Sequence, residues 1–196
     1  MLTVAALYVD SKRGPYAALP GVDCWDEARD ATAYAGPGPV VAHPPCGPWG
    51  RLRGQCTRQD ASLGPVAVGQ VLRWGGVLEH PAGSLLWDEC RLPRPGELPR
   101  WVDMGTGLRR VWSIAVDQCE WGHEARKATW LLLVGVEPDA VGPPPMPGAQ
   151  PTRTVQSRRH LHSHGEDRLR EMSKTRRHLT PPLMAEWLVA LARSTR

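Results

Sequence analysis

Apolar positions in this chain fall in short blocks, and each block is cut off by Pro or Gly. Residues 2–9 (LTVAALYV) form an apolar, β-rich run that predicts a first strand ending at Asp10. Residues 39–42 (PVVA) and 76–79 (GVLE) are shorter runs of the same kind. They end abruptly at His43-Pro44-Pro45-Cys46 and at His80-Pro81. Residues 108–116 and 129–136 (TWLLLVGV) predict later strands. Helical spacing appears over 61–74, with Leu63, Val66, Val71 and Leu72 apolar and Gly75-Gly76 as the stop. It returns over 182–194, with Leu183, Trp187, Leu188 and Leu191 on one face, and a short helix is expected over 25–34 (WDEARDATAY).

Strands alternating with helices predict an α/β fold, a compact Rossmann-like sheet that is mostly parallel with helices on both faces. Ligands in such sheets bind beyond the carboxyl ends of the strands. Two of the predicted strands end in chemically loaded residues, so Cys46 and Glu79 are expected to meet at one edge. The expected organisation is a core over residues 1–136 and a Pro/Gly-rich linker over 137–151. A basic C-terminal segment over 152–196 completes it, its last helix packing back on the core.

Composition narrows this picture. The 196 residues allow one ordinary domain, and 20 Gly with 20 Pro argue against a long helical bundle. Nine Trp with no Phe, and 21 Arg with only Lys12, Lys127 and Lys174, point to a GC-rich coding sequence. That is a codon effect before it is a physical one. The net charge of +4 is uneven: ten basic and four acidic residues from Pro151 onward give +6, leaving −2 before it. A basic tail fits a polyanionic partner such as nucleic acid, or a solvated arginine-rich helix. No run of eighteen apolar residues and no secretory leader pattern occur, so a cytoplasmic protein is expected. The five cysteines contain no C-x-x-C pair, which disfavours a disulfide framework or structural zinc.

The chemistry concentrates at two strand ends. Cys46 follows two prolines, which fix φ and stiffen the loop, so its thiol is held in place as a candidate nucleophile. The alternative is a small buried hydrophobe in a Pro-rich turn. Glu79, in VLEHP, is a partly buried carboxylate that can have a raised pKa and serve as proton donor or base-edge partner. The alternative there is a salt bridge to Arg51 or Arg53. His43 and His80 are placed to tune proton transfer. Trp49, beside the thiol, is a candidate pocket wall or stacking surface.

Four segments in order resemble the DNA cytosine-5 methyltransferase family. Ala42-His43-Pro44-Pro45-Cys46 resembles its Pro-Cys motif, and Val77-Leu78-Glu79-His80-Pro81 its Glu-Asn-Val motif, with His80 in the asparagine place. Trp121-Gly122-His123-Glu124-Ala125-Arg126-Lys127 resembles the Gln-x-Arg-x-Arg segment, with Ala125 where the glutamine is expected. Arg177-His178-Leu179-Thr180-Pro181 resembles its Arg-x-Leu-Thr-Pro segment. The resemblance spans roughly residues 40–187 and implies a methyltransferase sheet. It also implies covalent chemistry on a pyrimidine, in DNA or in a nucleotide: thiolate attack at carbon 6, then methylation of carbon 5 from S-adenosylmethionine. Cys46 would be the nucleophile, Glu79 the base-contacting acid, and Arg126 or Lys127 the positive charge at base or phosphate. The target base would have to leave the stack.

The same resemblance places cofactor contacts at Asp10, Gly14, Asp26 and Pro44, with Glu27 and Asp30 as further acidic candidates. The expected nucleic-acid contacts are Trp49, Arg51, Lys127, Arg158, Arg159 and Arg177. The chain departs from the family in two places. The loop after the first strand, DSKRGPY, has Gly14 as its only glycine, and Gly36-Pro37-Gly38 reads as a turn into the Cys46 strand. The large target-reading domain is replaced by about forty residues, many of them Pro, Gly or charged. His160, His162 and His164 form an alternating triplet able to hold a metal, but their arginine neighbours read as a basic surface loop. A small chain of this composition fits a phage or mobile element. Two other readings stand beside methyl transfer: a degenerate fold that only binds nucleic acid or protein, and base modification with a different donor.

Overall fold

A computed structural model describes residues 2–51, 53–56, 60–103, 107–155 and 169–195. In chain order the elements are β1 (Val4–Leu7), β2 (Val22–Trp25), β3 (Val40–Ala42), α1 (Leu63–Trp74), β4 (Gly76–Pro81), α2 (Leu86–Glu89), β5 (Arg100–Asp103), β6 (Leu108–Asp117), β7 (Ala128–Val134), β8 (Arg153–Thr154), β9 (Arg170–Glu171), α3 (Lys174–Arg177) and α4 (Pro182–Arg193). Single 3-10 turns occupy Pro15–Ala18, Ala31–Ala33, Arg53–Gln55 and Gln118–Trp121.

Among the described residues, a seven-stranded sheet runs in the order β2-β1-β3-β4-β7-β6-β5, and β8 pairs with β9 apart from it. The β1–β2, β1–β3 and β3–β4 pairs are parallel, whereas β4–β7, β6–β7 and β5–β6 are antiparallel. The fold is therefore α/β with a mixed sheet, and the expectation of a mostly parallel one is corrected. The connections explain the mixture. Parallel neighbours need a crossover of a dozen residues or more, whereas short returns leave antiparallel neighbours. The β6–β7 connection holds one 3-10 turn, and β5 and β6 are separated by only a short stretch.

Helices cover both faces. Side chains alternate along each strand. Val4, Ala6, Val41, Val77, Leu131 and Leu133 share one apolar cluster with Met184, Ala185, Leu188 and Leu191 of α4. Ala5, Leu7, Val40, Ala42, Leu78 and Leu132 share the other with Ala67, Val68 and Val71 of α1 and Leu86 and Trp87 of α2. The C-terminal helix thus packs on the sheet. It is tied down by Trp187, whose ring lies 4.8 Å from that of Trp121 and whose Nε1 donates to the Gly142 carbonyl at 2.9 Å.

The helix expected over 25–34 does not form. Val22–Trp25 instead pairs with β1 as an edge strand. Beyond it the acidic side chains capture local amides: Asp26 accepts from the Arg29 amide at 3.0 Å and Asp30 from the Thr32 amide at 3.1 Å. Asp30 takes a left-handed φ of 52°. Short polar side chains that bond their own backbone compete with a helix, and here they win. Among the described residues, no helix is long and apolar enough to cross a membrane.

Candidate functional site

The sheet topology places the loops that follow β3 and β4 side by side, because these strands are parallel neighbours with Ala42 opposite Leu78. His43 to Cys46 leave β3 at the edge where Glu79 lies. The Cys46 loop is a tight turn: its carbonyl accepts the amides of Trp49 at 3.1 Å and Gly50 at 2.9 Å.

Glu79 is 9% exposed and held on both oxygens. Oε2 lies 2.9 Å from His43 Nδ1. Oε1 accepts from Gln118 Nε2 at 3.0 Å and from Thr129 Oγ1 at 3.4 Å. His43 Nε2 in turn lies 2.6 Å from the hydroxyl of Tyr16, which is buried in the 3-10 turn after β1. One assignment satisfies the chain: Tyr16 O–H donates to Nε2, and Nδ1–H donates to Glu79. Burial pushes the Glu79 carboxyl up, but the His43 hydrogen bond, the charge of Lys127 and the charges that His43 and His80 take on in acid overcome it and hold the pKa at about 2. The expected raised pKa is therefore corrected: Glu79 is an anchored carboxylate. Its partner is His43, not Arg51 or Arg53.

Lys127 is the cation of the site. It takes a left-handed φ of 44°, and its Nζ donates to the Leu179 carbonyl at 3.0 Å. Burial lowers its pKa, against the attraction of Glu79 and Cys46. Burial and then Glu79 push the Cys46 thiol up, while Lys127 pulls it down. Thiol, carboxylate and ammonium are thus close enough for their charges to act on one another. His80 points to the opposite face, as the two-residue period requires, with its ring 6.4 Å from Trp87. Burial pushes its pKa down to about 4, against Glu79 and the Pro45 carbonyl.

The other expected residues lie elsewhere. Arg126 is exposed, with Nε 3.7 Å from Asp117. Arg51 is exposed. Arg177 is engaged with Glu171 and, through Nε, with the Met172 carbonyl at 3.1 Å. The Trp49 indole lies against Gly64 and Leu86 rather than open to solvent, and its buried Nε1 has no hydrogen-bond partner among the described residues. Pro44 is buried beside His43. Arg158, Arg159 and the His160, His162 and His164 triplet lie outside the described residues. Sequence reading missed Tyr16, Gln118 and Thr129. Gln118 is fully buried, and its Oε1 has no partner among the described residues. Only the period of β7 gave a signal for Thr129, a polar residue on the same face as Leu131 and Leu133.

An open crevice of about 490 Å3 lies on the other side of β1, lined by Ser11, Ala17, Val22, Cys24, Asp26 and Arg29. It is distinct from the Cys46–Glu79 edge. Its acid, Asp26, accepts from Ser11 Oγ and the Arg29 amide, bonds that hold its carboxyl below the usual range. The preceding loop is closed on itself. Asp10 Oδ1 accepts the Lys12 and Arg13 amides, both at 2.9 Å, and the Asp10 carbonyl accepts that of Gly14 at 3.0 Å. A Cβ on Gly14 would stand 2.5 Å from that carbonyl, so glycine serves the turn itself. The next element is a single 3-10 turn opened by Pro15, which lacks an N–H. The Asp10 and Asp26 carboxylates are thus engaged by backbone amides of their own loops.

No protein-family model matches the chain, and comparison with curated proteins and with solved structures gives no significant match.

Proposed function

We propose that this chain performs covalent chemistry on a pyrimidine base in DNA, in the manner of a DNA cytosine-5 methyltransferase built on a compact Rossmann-like core. One observation carries the reading. Cys46, Glu79 and Lys127 come from three separate segments and converge at the carboxyl end of two adjacent parallel strands, near enough to shift one another's ionisation. That is the edge where α/β sheets bind ligands. The ordered sequence motifs point to the same residues.

In this reading Lys127 supports loss of the Cys46 proton, and the thiolate Sγ bonds to carbon 6 of a flipped base. The carbon 5–carbon 6 π pair moves onto carbon 5, which bonds to the electrophilic group as that group's bond to its donor breaks and the donor leaves with the electron pair. The carbon 5 proton then leaves, its electrons re-form the double bond, and Sγ departs. Glu79, ionised and fixed, orients the base by accepting from its exocyclic amine. With a methyl electrophile the donor would be S-adenosylmethionine. A second reading keeps the same residues with another donor, since the Asp10–Gly14 loop has its own amides turned onto Asp10.

The test is a denaturation-resistant complex with DNA containing 5-fluorocytosine, with and without S-adenosylmethionine, joined to nucleoside mass spectrometry of cells making the protein. The wild type should form the complex, and Cys46→Ser should not. A complex that persists in Cys46→Ser removes Cys46 as nucleophile. No complex and no modified nucleoside would leave only a nucleic-acid- or protein-binding module.

A further inference from the structure

The Cys46–Glu79 chemistry leaves Tyr16, which is buried, and His43, which is partly buried, without a role. Tyr16 is 1% exposed, and its hydroxyl meets His43 rather than solvent or backbone. His43 spans 36 positions to reach Glu79 and 27 to reach Tyr16. Its ring lies 5.3 Å from the Tyr16 ring, tilted by 52°. Both imidazole nitrogens are therefore spent on side chains from other segments. A histidine that only filled space would not need both bonds, and a tyrosine hydroxyl buried without a partner would destabilise the fold.

We propose that Tyr16 and His43 are positioning residues for Glu79. Tyr16 fixes the ring and tautomer of His43, and His43 Nδ1–H fixes the carboxylate in place and in its ionised form. This deepens the base-chemistry reading and rests on it for its catalytic meaning, though not for its geometry. A carboxylate that contacts a base must keep one orientation while the base enters, and a side chain with several rotatable bonds does not do so unaided. Gln118 and Thr129 hold Oε1 from β7 and the turn before it, so the carboxylate is clamped from two sides. The charged and titratable groups facing it are Lys127 from the start of β7, His80 on its own strand, and Cys46 and His43 from the β3 loop, with Tyr16 behind His43. Among these, His43 makes the direct bond that most lowers the carboxyl pKa.

The connection also has a direction. Tyr16 is followed by Ala17, which lines the crevice beside β2. The loop after β1 is thereby tied to the acid on β4 through a single hydroxyl.

The experiment follows the Glu79 carboxyl carbon by NMR in protein carrying 13C-labelled glutamate, assigned by its loss in Glu79→Gln. Wild type should show no titration from pH 4 to pH 9. In His43→Ala the midpoint should rise by about two pH units or more, into that window, since a hydrogen bond to a charged group is lost while burial remains. His43→Asn places an amide N–H where Nδ1 stood and should restore most of the wild-type behaviour. Tyr16→Phe should move the midpoint less than His43→Ala. A Glu79 that stays ionised above pH 4 in both His43→Ala and Tyr16→Phe overturns the proposal, as does a His43→Asn no better than His43→Ala. If His43→Ala does not fold, Tyr16→Phe and His43→Asn decide alone. Adduct formation with 5-fluorocytosine DNA is read on the same proteins, and its acid limb should move up with the carboxyl. Absence of any adduct in wild type defeats the base-chemistry reading, while the carboxyl titrations still stand or fall by themselves.

Discussion

At the residue scale, the ionisation of Cys46 is set by two opposing neighbours. Glu79 raises the thiol pKa and Lys127 lowers it, on top of the upward push of burial. Charge-neutral variants of similar shape should therefore push its reactivity in opposite directions. Glu79→Gln removes a negative charge, so a larger thiolate fraction exists at pH 7.5 and alkylation should quicken about threefold, the effect of about half a pKa unit. Lys127→Met should slow it by a similar factor. The readout is the iodoacetamide rate at the Cys46 peptide, measured by mass spectrometry. Rates that move the same way in both variants would show that packing, not charge, governs the thiol. These residues also mark what was legible in the sequence. Cys46 and Glu79 each end an apolar run, so the strand rule alone places them at one edge. Tyr16 was not legible, because its role rests on a contact across 27 positions with His43. Lys127 and Arg126 are adjacent in sequence, and only the left-handed φ of Lys127 turns one inward while the other stays exposed.

At the element scale, the site depends on how β4 begins. Gly76 opens the strand with φ 113°, and a Cβ there would stand 2.0 Å from the Val40 carbonyl and 2.8 Å from the Val40 amide nitrogen. The obstruction is backbone of the neighbouring strand β3, which cannot swing aside. Gly76→Ala should cost about 3 kcal/mol or more, or prevent soluble expression, since strain and steric displacement add. Gly69 provides the contrast. It lies exposed in α1 with nothing within 4 Å of an added Cβ, so Gly69→Ala should stabilise by about 0.5–1 kcal/mol through helix propensity. Urea midpoints of the two variants check both statements. A mild Gly76→Ala would mean that β3 and β4 are less closely held than the register implies. The same elements show why sequence reading worked for some segments and failed for others. α1, α4, β1, β3, β4, β6 and β7 carry apolar blocks long enough to show a period. β5 is four residues with no buried side chain, and β2 has none either, so both are strands only because a neighbour offers an edge.

At the scale of the whole molecule, β4 carries two adjacent groups whose protonation destabilises the fold in acid, one on each face of the sheet. His80 is neutral and fully buried against the α1–α2 side, with its pKa lowered to about 4 from an ordinary 6.5. Above pH 6.5 neither the folded nor the unfolded chain binds its proton, so nothing is lost. Between pH 6.5 and 4 the unfolded chain takes the proton and the folded chain does not, so stability falls with pH. Glu79 faces the α4 side, with its pKa lowered to about 2 from 4.5. Its contribution is present above pH 4.5 and is lost between 4.5 and 2. The two windows abut, so the molecule should lose stability continuously from pH 6.5 downward, by at most about 3 kcal/mol from each group. His123 and His178, whose pKa values burial also lowers, act in the same sense as His80. Thermal midpoints measured between pH 7.5 and 3.5 should therefore decline steadily in wild type. His80→Asn should start from a lower midpoint, because a packed ring is lost, and yet decline less steeply between pH 6.5 and 4. Glu79→Gln should match the wild-type slope in that upper interval and flatten only below pH 4.5. The ordering of the two windows is the decisive feature. It follows from the two ordinary pKa values and their lowering, while the strand period sends the two side chains into separate cores, each of which keeps its own group in one protonation state. A His80→Asn curve parallel to wild type through the upper interval would mean that His80 is hydrated in the folded protein and that the α1–α2 face is open at that point.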